Sequence, residues 1–188
     1  DGTTMQATVQ LTDTAPGGAD IVIEAAGTTT DRSIRRGSQS EISQGQTFAV
    51  ADDTTLSQVS FHVAAPDGVP AGQTLALDLY EVADTTKITP SRAVDIADGA
   101  GTLALALPDA IEPDTPTHVV FSLPDVALSA GQYAVVLSFD DGSGPAEMFI
   151  QHPDGDVYAD GVAISLEGAF WKPNTNDDDS AVTITFGA

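Results

Sequence analysis

The sequence contains no cysteine. That absence excludes a disulfide framework, thiolate zinc sites and a cysteine nucleophile together. Basic residues are nearly as scarce: six lysines and arginines stand against 28 aspartates and glutamates, a formal charge of −22. Nucleic acid needs a basic footprint for its phosphates, so it is not an expected partner. Anionic lipid surfaces are disfavoured for the same reason. No apolar run approaches the roughly 18 residues that span a bilayer, so no membrane insertion is expected. Asp1-Gly2-Thr3-Thr4 shows neither a basic n-region nor an apolar h-region; a signal peptide, if one existed, has been removed. No segment sustains helical periodicity over three turns. Catalytic signatures are missing too. There is no His-Glu-x-x-His helix and no phosphate-binding glycine loop, and Ser143 in Gly142-Ser143-Gly144 lacks the strand–elbow–helix setting of a hydrolase nucleophile. The expectation is a protein that is not an enzyme.

What is present is short-range alternation. Val59, Phe61 and Val63 alternate with Ser60 and His62, and Leu75, Leu77 and Leu79 with Ala76, Asp78 and Tyr80. Leu103, Leu105 and Leu107 follow, then Val119, Phe121 and Leu123, then Tyr133, Val135, Leu137 and Phe139, and finally Val182, Ile184 and Phe186. Each set places its large apolar side chains on one face, as a half-buried antiparallel strand requires. Turn chemistry separates the sets, at Pro66-Asp67-Gly68, Asp98-Gly99, Asp140-Asp141-Gly142 and Pro153-Asp154-Gly155. Weaker strand signals run over Met5 to Leu11, Ile21 to Glu24 and Thr47 to Ala51. The polar stretch 28–46 reads as surface structure, and 109–116, with Pro113 and Pro116, as loop.

With 41% apolar residues in 188, the chain can bury a core without staples. The fold expected is all-β, an antiparallel two-sheet β-sandwich of the jelly-roll type. Residues 1–188 form a single domain, with N-terminal strands and a polar loop over 1–43. Its core is expected to include Phe61, Leu77, Leu79, Phe121, Val135, Leu137 and Ile184. The acidic surface suits a salty medium, where screening tames self-repulsion.

From Gln44 onward the order of features is distinctive. Gly45-Gln46-Thr47-Phe48 precedes Leu56-Ser57-Gln58-Val59. Leu75 to Val82, Gly131-Gln132-Tyr133, Tyr158-Ala159-Asp160-Gly161 and Trp171 follow, before an Asp-rich turn and the final strand Ala181 to Phe186. Over 44–188 this resembles the jelly-roll modules of exported and surface-anchored bacterial proteins, and it is similar to carbohydrate-binding modules. The resemblance implies a non-catalytic module that is secreted or displayed at the cell surface. It transfers no defined binding site.

Several residues are candidates for binding chemistry. Trp171, beside Phe170 and Lys172-Pro173-Asn174, could stack on a pyranose; as a buried aromatic it would instead plug the core. His62 and His118 sit on the polar phase of apolar strands, with Tyr80 on the same phase of a third, and together they could form a sugar-binding platform. Tyr158 lies among acids and completes the carbohydrate-binding set. Asp154, Asp156 and Asp160 offer oxygen ligands on a turning backbone, as calcium requires, and Asp177, Asp178 and Asp179 repeat the pattern. Against this, the spacing is not that of an EF-hand, and a solvated turn explains the same acids. Arg32, Arg35 and Arg36 could grip an acidic glycan, or bridge to the surplus acids of the chain itself.

The function expected is non-catalytic polysaccharide binding, with calcium as a structural ion. The alternatives are a structural or adhesive extracellular domain without a small-ligand site and, behind it, a small polysaccharide-active enzyme.

Overall fold

The computed structural model describes residues 20–25, 33–36, 42–83, 90–96, 101–140, 146–153, 156–167, 170–173 and 179–187. They form thirteen strands and no helix. The strands are β1 (Ile21–Val22), β2 (Ser33–Arg36), β3 (Ile42–Val50), β4 (Thr54–Ala64), β5 (Thr74–Val82), β6 (Pro90–Ala93) and β7 (Thr102–Ala106). There follow β8 (Thr117–Leu128), β9 (Gly131–Phe139), β10 (Ala146–Ile150), β11 (Ala163–Glu167), β12 (Phe170–Pro173) and β13 (Val182–Gly187). The segment Met5 to Leu11, with Arg32, Ser143, Asp154, Asp177 and Asp178, lies outside the described residues.

Every strand pair is antiparallel, and one hydrogen-bonded path runs β1-β13-β4-β10-β2-β3-β9-β5-β6. β8 joins the other side of β4, β7 joins β5, and the β11–β12 hairpin joins β3. The sheet does not close. The fold is therefore all-β and sandwich-like, built on a large antiparallel sheet.

The alternation read from sequence becomes the core. Phe61, Leu77, Leu79, Phe121, Val135, Leu137 and Ile184 are all buried, in one cluster with Phe48, Leu56, Val59, Leu75, Met148 and Ile150. Burying a side chain of this size contributes roughly 1.5–3 kcal/mol, so the cluster dominates stability.

Two bulges keep that core continuous. In β4 both Leu56 and Val59 are buried, although residues three apart should face opposite ways. Ser57 is the extra residue, for Leu56 and Gln58 face the consecutive residues Phe186 and Thr185 of β13, and its Oγ donates to the Thr185 carbonyl at 3.1 Å. In β8 the phase changes between Leu123 and Val126, where Pro124 cannot donate and Asp125 takes φ 49°. Proline is tolerated there because β8 hydrogen-bonds to β4 alone among the described strands.

The polar stretch 28–46 is not simply surface structure. β2 and the first half of β3 fall inside it, and Gln44 and Gln46 are buried. Their amides replace hydrophobicity with bonding: Gln44 Nε2 donates to the Ser33 carbonyl at 3.2 Å, and Gln46 is bonded at both ends. A pattern of apolar side chains cannot reveal a strand that is buried by hydrogen-bonding polar side chains.

Candidate functional site

The buried polar centre of the molecule is Asp179, with no exposed surface. Its Oδ1 accepts from Gln46 Nε2 at 2.7 Å, and its Oδ2 accepts from the amides of Val157 and Tyr158 at 2.8 and 2.7 Å. Gln46 Oε1 in turn accepts from the Ser180 amide at 2.7 Å, and Ser180 Oγ donates to the Gly45 carbonyl at 2.9 Å. One carboxylate thus ties the entry of β13 to β3 and to the segment 156–162. Burial pushes the Asp179 carboxyl above the ordinary range; the three donors oppose that shift, and nearby Asp156 adds to it. This aspartate, which sequence grouped with a calcium-type cluster, has its oxygens engaged by protein donors.

The same segment explains Tyr158 and Gly161. The Ala49 amide donates to the Tyr158 hydroxyl at 3.2 Å, and burial raises the phenol above its usual range. A Cβ at Gly161 would run into the Thr47 carbonyl and come within 2.8 Å of the Tyr158 ring, so only glycine lets the backbone pass this close. Asp156 and Asp160 are exposed. Among the described residues, no three or more His, Asp and Glu side chains stand together as a metal-holding group.

A second apolar cluster lies on the face of β5, β9 and β11 opposite the main core. Val82, Ala134, Val136 and Ile164 are buried there, and Tyr80, Val162 and Trp171 pack against them. Trp171 pairs with Leu166 in the β11–β12 hairpin, while Tyr80 stands on β5 opposite Ala134. Their rings nevertheless meet edge to face, with centroids 4.9 Å apart. The hairpin therefore curls over the face of β3 and β9 to bring the two aromatics together. Both are half-buried, leaving ring surface open. Two residues along β5, on the same face, the Asp78 carboxylate accepts from the Thr102 hydroxyl. Burial, opposed by that bond and assisted by Asp140, raises the Asp78 carboxyl; burial and then Asp78 raise the Tyr80 phenol.

The histidines lie elsewhere. His62 and His118 are direct partners across β4 and β8, and their Nε2 atoms point at one another. They look onto a cleft of about 260 Å³ lined also by Val22, Glu24, Ser60 and Thr183. The expected platform therefore divides. Its histidines come together at this cleft, whereas Tyr80 joins Trp171. Sequence phase placed His62, His118 and Tyr80 on the outward face of their strands, but strand order decides which of them meet. Asp78, not among the site residues expected from sequence, shared that phase with Tyr80. Arg35 meets an acid of its own chain, its Nε donating to Glu147 Oε1 at 2.6 Å across β2 and β10. Both side chains of that pair are about half exposed, so it adds at most about 1 kcal/mol.

No protein-family model matches this chain, and no curated protein matches it. Among the described residues, no helix is long and apolar enough to cross a membrane.

Proposed function

We propose that this chain is a non-catalytic polysaccharide-binding module of an exported protein, built as a two-sheet jelly roll. Two sets of strands support the architecture. One comprises β1, β13, β4 and β8, and the other β12, β11, β3, β9 and β5 with β6 and β7, while the β2–β10 pair links them. The main core draws side chains from both sets.

One observation carries the functional reading: the half-buried indole of Trp171 meets Tyr80 edge to face, on the face of β5 that also carries the Asp78 carboxylate. An indole fixed by a neighbouring ring offers a flat apolar surface to the axial hydrogens of a sugar, with little rotamer freedom left to lose. A carboxylate two residues from Tyr80 along β5 can accept from sugar hydroxyls. The charge of −22 selects against sulfated and carboxylated glycans, so the ligand is neutral. A single stacking contact contributes about 1 kcal/mol, which places affinity in the micromolar to millimolar range.

The test is affinity electrophoresis through gels containing neutral polysaccharides. Wild type is retarded, Trp171→Ala is not, and Tyr80→Phe keeps most of the retardation because the ring remains. If no neutral glycan retards the wild type, the reading fails and a structural or adhesive extracellular domain replaces it.

A further inference from the structure

The cleft on the opposite side of the molecule carries chemistry that glycan binding does not use. Its floor is the outward face of β1, β13, β4 and β8, whose strands lie in register. One row across it reads Val22, Thr183, Ser60 and Val120. The next row ends in His62 and His118, with Ala181 bonded to His62 through the backbone and Glu24 across the cleft. Glu24 is near enough to act electrostatically on His62. Among the described residues, Val22 and Val120 are the large apolar side chains left exposed, at 38% and 40%. Val22 lines this cleft, and Val120 continues its row beyond Ser60.

We propose that His62 and His118 form a site for a divalent transition-metal ion of the zinc, nickel or copper type. The imidazoles stand at directly opposed positions of an antiparallel pair, with their Nε2 atoms turned toward one another. Such a pair is pre-ordered by the strand register rather than by flexible loops. His118 Nδ1 lies 3.4 Å from Ser60 Oγ, a partner able to accept its proton once Nε2 is given to a metal. His62 Nδ1 is buried without a hydrogen-bond partner, so its proton has no acceptor once Nε2 is given to a metal, and His118 is the better supported of the two ligands. Two neutral nitrogens suit borderline metals and not calcium or magnesium, which select oxygen. Glu24 faces the pair across the cleft and supplies negative charge through bound water, and water fills the remaining positions in a space of about 260 Å³. The field of an acidic protein concentrates cations around it, which aids capture.

The experiment is calorimetric titration of zinc chloride into chelator-treated, dialysed protein at about 150 mM salt, where diffuse attraction is screened. Wild type takes up one zinc with a dissociation constant on the order of micromolar. His118→Gln and His62→Gln each weaken binding by about tenfold or more, and Glu24→Gln by a few-fold, because removing a ligand costs more than removing a distant charge. A tenfold excess of calcium, roughly, does not compete. His118 is exposed, so His118→Gln keeps the wild-type melting temperature and remains informative if His62→Gln does not fold. Unchanged zinc affinity in folded His118→Gln would place the ion on surface carboxylates and overturn the site. So would the absence of one-to-one binding to wild type. Neither result bears on the glycan reading, because Trp171 and Tyr80 are retained in all three variants.

Discussion

Replacing Asp179 by alanine tests whether one buried carboxylate organises the polar half of the interior. The substitution leaves three donors without their acceptor: the Gln46 side-chain amide and the backbone amides of Val157 and Tyr158. A buried donor that loses its partner costs roughly 1–3 kcal/mol, so the gross loss is about 3–9 kcal/mol. Two effects offset it. Removing the carboxylate abolishes its own desolvation cost, the same cost that raises its pKa, and water can enter the space. A net destabilisation of about 3 kcal/mol follows, near the lower end for breaking a buried charged network. For a chain of this size that lowers the melting temperature by about 6–12 °C. Asp179→Asn keeps an oxygen for the Val157 and Tyr158 amides but sets its own amide against Gln46 Nε2, so it should cost about 1–2 kcal/mol. The assay is urea unfolding at neutral pH. Alanine and asparagine variants that fall equally, or an alanine variant within about 0.5 kcal/mol of wild type, would refute the reasoning.

The same carboxylate has a pH signature. Its folded pKa is raised, so the folded state binds the proton more tightly than the unfolded chain does. The corresponding stability is present below the ordinary carboxylate pKa and is lost as pH rises through the raised value. Wild type should therefore gain on Asp179→Asn as pH falls from neutral toward about 4. Comparing the two proteins cancels the relief of general self-repulsion, which both share.

Other outcomes follow from the remaining features. Gly161→Ala should destabilise by about 2 kcal/mol or more in urea, because its Cβ meets the Thr47 carbonyl backbone. Tyr158→Phe should cost only about 1 kcal/mol in the same assay, through loss of the bond from the Ala49 amide. The melting temperature of wild type should rise between about 10 and 500 mM sodium chloride, as screening relieves a charge of −22; a flat or falling curve would contradict this.

The apolar skeleton was legible in the sequence because alternation is a local property. Leu75, Leu77 and Leu79 announce which face of β5 is buried without any knowledge of its neighbours. The polar interior was not legible, because it is made by partners far apart. Gln46 and Asp179 are separated by 133 positions, and neither residue type signals burial. The same limit applies to the sites. Phase put His62, His118 and Tyr80 outward, but only the pairing of β4 with β8 unites the histidines. Likewise only the curl of the β11–β12 hairpin unites Tyr80 with Trp171. The bulge at Ser57 hid the continuity of Leu56 with Val59, since one extra residue inverts the phase.

The polar latch and the aromatic pair are mechanically connected, and this links stability to binding. β11 begins just after the 156–162 segment and pairs with β3, with Ala163 opposite Gln46, the residue that Asp179 holds. Thr47 adds a second tie, accepting the Val162 amide at its Oγ1 at 2.8 Å. Trp171 is carried by the hairpin that starts at this anchorage, and its reach to Tyr80 depends on how that hairpin leaves β3. Loosening the anchor therefore releases the indole before it unfolds the main core, whose strands pair without the hairpin. In Asp179→Asn, well below its melting temperature, the Trp171 fluorescence should shift to the red and become more accessible to a neutral quencher, while the circular dichroism of the strands stays unchanged. Glycan retardation should weaken in proportion, since a mobile indole must be immobilised again on binding, at about 0.5–1.5 kcal/mol. Unchanged quenching would show that the hairpin is held by its own packing on Val82, Ala134 and Val136, and the latch would then serve stability alone.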